Sequence, residues 1–117
     1  MLRRRLREIL DRDNIRDLID ILEELVEELI SRYRPVRIIL AGSLAEGRFV
    51  RGLSDIDLLV VVRDLDASMD RFTIYGVGDI DVEITFVTEE ELGEAVRSGR
   101  EFYIGALERG ITIYSEE

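Results

Sequence analysis

Two short apolar runs, Val36 to Ala41 and Leu58 to Val62, limit this chain more than anything else in it. Each is rich in β-branched residues and too short for a buried helix, so each reads as a strand. Strands that are apolar at successive positions are covered on both faces, which places both in the interior of a sheet rather than at its edge. The first run stops at Gly42-Ser43, and the second is introduced by Asp55 and Asp57.

The remaining elements follow from periodicity and punctuation. From Ile15 to Tyr33 the residues Ile15, Leu18, Ile19, Leu22, Leu25, Val26, Leu29 and Tyr33 recur at three and four, predicting a helix with one buried face, capped by Asp13 or Asn14. Leu6, Ile9 and Leu10 either continue it or form a separate short helix. Pro35 ends the pattern, because the residue before a proline is pushed toward extended conformations. Leu44 to Gly47 is expected as one helical turn, Arg48 to Ser54 as a loop and Asp55 to Val62 as a strand. After a polar loop, Phe72 to Tyr75 and Asp79 to Val87 read as strands separated by Gly76-Val77-Gly78. Thr88 followed by Glu89, Glu90 and Glu91 is a capping-box start, with Leu92, Ala95 and Val96 as the apolar face. A short helix from Glu101 to Arg109 ends at Gly110, and Ile111 to Tyr114 is a last strand. The expected fold is α/β (α+β), a small mixed sheet packed against helices in one domain spanning 1–117. Its parts are an N-terminal helical segment at 1–34, a core sheet at 36–87, and a helix with the last strand at 88–117.

Composition removes whole classes of chemistry. The chain has no Cys and no His, so thiolate and imidazole chemistry are excluded. All 16 basic residues are Arg, which excludes a P-loop lysine or a Schiff base. A net charge of −10 argues against broad nucleic-acid binding, which needs a clustered positive surface. No apolar run approaches the roughly 20 residues that cross a bilayer, so no membrane role and a cytoplasmic location are expected. Any catalysis must use carboxylates, hydroxyls, Arg and metal.

Side chains two apart on a strand share a face, so Asp55 and Asp57 project together while Ile56 turns inward. Such a pair is tolerable with a divalent cation between its members, and Mg²⁺ is the hard ion that keeps positions open for phosphate oxygens. By itself an Asp-x-Asp pair also suits a solvated strand end. The second half of the argument is Gly42-Ser43, where a glycine turn opening a helix offers backbone N–H groups and a hydroxyl to a phosphate. A third carboxylate is expected from a neighbouring strand, where Asp79, Asp81 and Glu83 alternate onto one face.

The run Ile38-Ile39-Leu40-Ala41-Gly42-Ser43-Leu44-Ala45-Glu46-Gly47, followed by Leu53-Ser54-Asp55-Ile56-Asp57-Leu58-Leu59-Val60, resembles the signature of the DNA polymerase beta-like nucleotidyltransferase superfamily, and of its minimal nucleotidyltransferases in particular. The likeness extends over Val36 to Val87. It implies that Gly42 and Ser43 hold a triphosphate, that Asp55 and Asp57 bind Mg²⁺ in a two-metal site, and that Glu83 is the third catalytic and metal-binding carboxylate, with Asp81 as the alternative. It further implies transfer of a nucleoside monophosphate, AMP from ATP or another nucleoside triphosphate, to a hydroxyl acceptor. Two positions depart from the family pattern: Glu83 stands where Asp is commoner, and Glu46 where Arg or Lys commonly precedes the glycine. Arg48 and Arg51 are the nearby residues able to supply positive charge.

The alternative is a weakly active or inactive antitoxin or binding module acting on a helical HEPN-type partner, as the minimal family members imply. The acidic helix with Glu23, Glu24, Glu27 and Glu28 offers a surface for one, and a homo-oligomer is also open. Arg3, Arg4, Arg5 and Arg7 form a basic tip that is left outside the site.

Overall fold

The computed structural model describes residues 15–116. The expectations for Leu6, Ile9 and Leu10, for the Asp13 or Asn14 cap and for Arg3, Arg4, Arg5 and Arg7 lie outside those residues. After a 3-10 turn, Arg16–Leu18, helix α1 occupies Ile19–Tyr33 and buries Ile19, Leu22, Val26 and Leu29 along one stripe. Glu23 is buried as well, so the acidic surface expected of this helix reduces to the exposed Glu24, Glu27 and Glu28. The helix ends where Arg34 takes a left-handed conformation (φ 47°) before the buried Pro35, its N–H donating to Ile30 O at 3.0 Å.

Five strands follow: β1 (Arg37–Ala41), β2 (Ile56–Val62), β3 (Phe72–Val77), β4 (Ile80–Thr88) and β5 (Ile111–Ser115). They form one mixed sheet in the order β3-β4-β2-β1-β5. All neighbours are antiparallel except β2 and β4, which run parallel. Among the described residues there are three further helices: α2 (Gly42–Ala45), α3 (Glu89–Arg97) and α4 (Glu101–Arg109). Thr88 caps α3 as expected, Glu91 N–H donating to its Oγ1 while the Thr88 N–H donates to Glu91 Oε1.

Because side chains alternate along a strand, the sheet has two apolar faces. On one, Ile38, Leu40, Leu58, Val60, Ile84 and Phe86 pack with Leu22, Val26 and Leu29 of α1. On the other, Ile39, Leu59, Val61 and Val87 pack with Leu92 and Ala95 of α3 and with Tyr103 and Ala106 of α4. This is why β1 and β2 read as continuous apolar runs: both lie in the middle of a sheet covered on each side. Over the second face the helical cover is partial. Beyond Leu59 it leaves Asp57 and Glu83 half-buried, and Ile74 and Phe72 of β3 are 54% and 50% exposed.

Among the boundaries that differ from expectation, three bear on the site. Strand β2 begins at Ile56, leaving Asp55 just before it. The helical turn begins at Gly42 rather than Leu44, directly against the end of β1. Gly76 and Val77 continue β3, and the turn falls instead at Gly78-Asp79, with Gly78 at φ 62°. Val77 is buried, so burial of its side chain outweighs the glycines that flank it.

Candidate functional site

The register of the sheet assembles the acidic residues. Ala41 pairs with Asp57 across β1 and β2, and Asp57 pairs with Glu83 across the parallel β2 and β4. Directly paired residues share a face, and neighbouring strands lie about 4.8 Å apart, so the two carboxyl groups stand side by side. Ile74 continues the same row on β3.

Asp55 reaches the pair from the loop, and the carboxyls of Asp55 and Asp57 both lie close enough to act on that of Glu83. Burial first, then the charges of Asp57 and Asp55, push the Glu83 carboxyl up to about 7. Burial and the Asp55 charge likewise raise Asp57, against a lowering hydrogen bond from Glu83. Asp57 and Glu83 therefore hold protons more tightly than free carboxyls, because adjacent negative charges would repel. The carboxyl contacts of Glu83 are with these two residues, whereas Asp81 is exposed, two residues toward the start of β4 and opposite Gly76.

The glycine-serine turn touches this group directly. Gly42 sits at φ 69°, in the left-handed region that favours glycine. A Cβ there would overlap Asp57 Oδ2 and lie 3.2 Å from its Cγ. Glycine is therefore required twice, by conformation and by the closeness of the carboxylate. Leu44 is buried and anchors α2 in the core, while Ser43 is half-buried and its carbonyl accepts from Arg48 N–H at 2.7 Å.

Two residues expected near the site have other engagements. Asp79 lies in the β3–β4 turn rather than on the strand face, where Arg51 holds its carboxyl below the usual carboxylate range. Arg51 donates from Nη2 to Asp79 Oδ1 at 2.5 Å and from Nη1 to Asp17 Oδ1 at 2.7 Å. It joins the loop before Asp55 to the 3-10 turn and to the β3–β4 turn. Arg48 pairs with Glu46 at 3.1 Å, and Arg109 of α4 reaches the same Glu46 Oε1 from its Nε at 3.5 Å. Arg109 escaped the sequence reading, since only the docking of α4 beside α2 brings it there.

A cleft of about 690 Å³ opens along the same sheet face. It begins at Thr85, two residues along β4 from Glu83, and includes Arg71, Glu91, Arg100 and Tyr103, but it does not surround the carboxylates. Among the described residues no three acidic groups stand arranged to hold a metal ion as they are. The donor chemistry nevertheless fits a hard divalent cation: all-oxygen ligands on adjacent strands, with a raised proton affinity that a cation would relieve. No described helix is long and apolar enough to cross a membrane.

Residues 22–111, more than three quarters of the chain, match the family described as Nucleotidyltransferase domain. No curated protein matches the sequence. A solved structure of similar fold is that of a nucleotidyltransferase-like protein from Exiguobacterium sibiricum, with a TM-score of 0.54 and 20% identity. The likeness covers 82% of this chain and 34% of that one, so this chain spans about a third of that protein's length. At this identity the comparison speaks to fold alone.

Proposed function

The chain belongs to the nucleotidyltransferase domain family, and from that membership we propose that it transfers a nucleoside monophosphate, AMP from ATP, to a hydroxyl acceptor, with Asp55, Asp57 and Glu83 as the acidic centre and Gly42 and Ser43 as the phosphate turn. The observation that carries this reading is the contact between the two halves. Gly42 is pressed so closely on Asp57 that no side chain fits between them, and Glu83 is the register partner of that same aspartate.

Asp55, Asp57 and Glu83 are the residues that would hold Mg²⁺. Bound there, the cation would supply positive charge between the phosphate oxygens and the three carboxylates. In the transfer, the acceptor oxygen forms a bond to the α-phosphorus as the bond to the departing pyrophosphate breaks in line. The acceptor's proton must leave, and Glu83 is the carboxylate that would take it and pass it to solvent. The backbone and hydroxyl of Ser43 orient the phosphate chain beside Asp57.

Incubation with ATP and Mg²⁺ plus candidate acceptors, followed by mass measurement, tests the reading. An added nucleoside monophosphate, absent when Asp55 and Asp57 are both changed to Asn, is the expected result. Mg²⁺ with ATP should also raise the melting temperature of the wild type and leave that variant unshifted. A wild type that neither binds ATP with Mg²⁺ nor modifies any acceptor would end it. An adduct on a co-purifying helical partner, or capture of that partner without any adduct, would separate catalysis from the binding role.

A further inference from the structure

Glu46 puts a further negative charge beside the phosphate turn, yet it does not stand alone. Its carboxylate accepts from Arg48 Nη2 at 3.1 Å and pairs with Arg109 Nε at 3.5 Å. Arg48 is fixed to the turn through its backbone, and Arg109 stands at the end of a helix docked on β1. The Arg48 N–H donates to Ser43 O at 2.7 Å. Arg109 precedes Gly110, where a Cβ would overlap Ala106 O and stand 2.8 Å from Ile39 Cγ2, so the last turn of α4 is held tightly on β1. Next comes Ile111, the register partner of Leu40, which lies one residue from Ala41 and hence from the row containing Asp57. Three separate constraints therefore bring two guanidinium groups to the end of the sheet that carries Gly42 and Asp57.

We propose that Arg48 and Arg109 grip the phosphate tail of the nucleotide, and that Glu46 is a positioning residue that parks both guanidiniums beside the Gly42-Ser43 turn until the phosphates take them. The inference rests on the nucleotidyl-transfer reading. A basic side chain at position 46 would bring one positive charge; here one carboxylate collects two. Glu108 also faces Arg109, at 3.5 Å from Nη1, but this contact is between two exposed side chains. Side-chain exposure of 67% for Arg48 and 50% for Arg109, against 22% for Glu46, leaves the guanidiniums the reach to exchange a carboxylate for phosphate oxygens, which accept in the same forked geometry.

The test compares ATP, AMP and inorganic triphosphate, each with Mg²⁺, by titration calorimetry. In an Arg48→Ala, Arg109→Ala double variant, ATP and triphosphate should bind about tenfold or more weakly, while AMP, which lacks the tail, changes by less than about twofold. Adding Glu46→Arg to the double variant should return much of the lost ATP affinity. Because these are exposed ion pairs, the unliganded melting temperatures should stay close together and report that all variants fold. ATP affinity unchanged in the double variant, an equal loss for AMP, or no recovery with Glu46→Arg overturns the inference. A wild type that binds none of the three overturns the transfer reading instead.

Discussion

Gly42 carries two demands that no other residue type meets, a positive φ and the absence of a Cβ facing Asp57. Gly42→Ala should therefore lower stability by about 1–2 kcal/mol from the backbone alone, measured by urea denaturation, and abolish the ATP-dependent melting shift by displacing the aspartate. Glu83 makes a second prediction, with a definite sign. Its carboxyl binds a proton more tightly in the folded chain (about 7) than at its ordinary value of 4.5, so folding is favoured by the protonated form. That contribution is complete below about pH 4.5 and is lost as pH rises through about 7, and Asp57, also raised, acts in the same direction. Glu83→Gln should thus gain stability relative to wild type between about pH 5 and about pH 8, and Mg²⁺ should close part of that gap for the wild type. Equal pH profiles for the two proteins would refute it. The candidate residues themselves were legible in the sequence because spacing along a strand determines which face a side chain joins. What spacing could not reveal is engagement: Asp79 alternates correctly with Glu83 yet lies in a turn and binds Arg51, and Arg109 is distant in sequence from every motif it touches.

The elements were legible where their chemistry is local. The α3 start is the clearest case, since the capping box needs only Thr88 and Glu91. Thr88→Ala should cost about 1 kcal/mol of stability, visible as a lower thermal midpoint by circular dichroism, without altering nucleotide affinity. Boundaries were misread where tertiary burial competes with local signals. Val77 lies between two glycines and looks like part of a bend, but its buried side chain extends β3 to the turn at Gly78. Asp55 looks like a strand residue by alternation, and the loop that Arg51 and Ser54 tie down keeps it just outside the ladder.

At the scale of the whole molecule, β2 divides the interior into two separate cores, with Leu58 in one and Leu59 in the other. Leu58→Ala and Leu59→Ala should each cost about 2–5 kcal/mol, and the double variant should approach their sum because the two side chains share no packing partners. Strong non-additivity in denaturation would show that the two faces are coupled through the sheet. That β1 and β2 are interior was readable from their unbroken apolar character, but the order β3-β4-β2-β1-β5 was not, because a parallel neighbour is chosen by long-range packing. This parallel pairing also has a bearing on synthesis. Asp57 and Glu83 meet only across β2 and β4, with the whole of β3 intervening. A nascent chain that has emerged as far as Val77 would already display the glycine-serine turn and both aspartates, yet would still lack the strand that completes the acidic row, so nucleotide recognition should switch on late in translation.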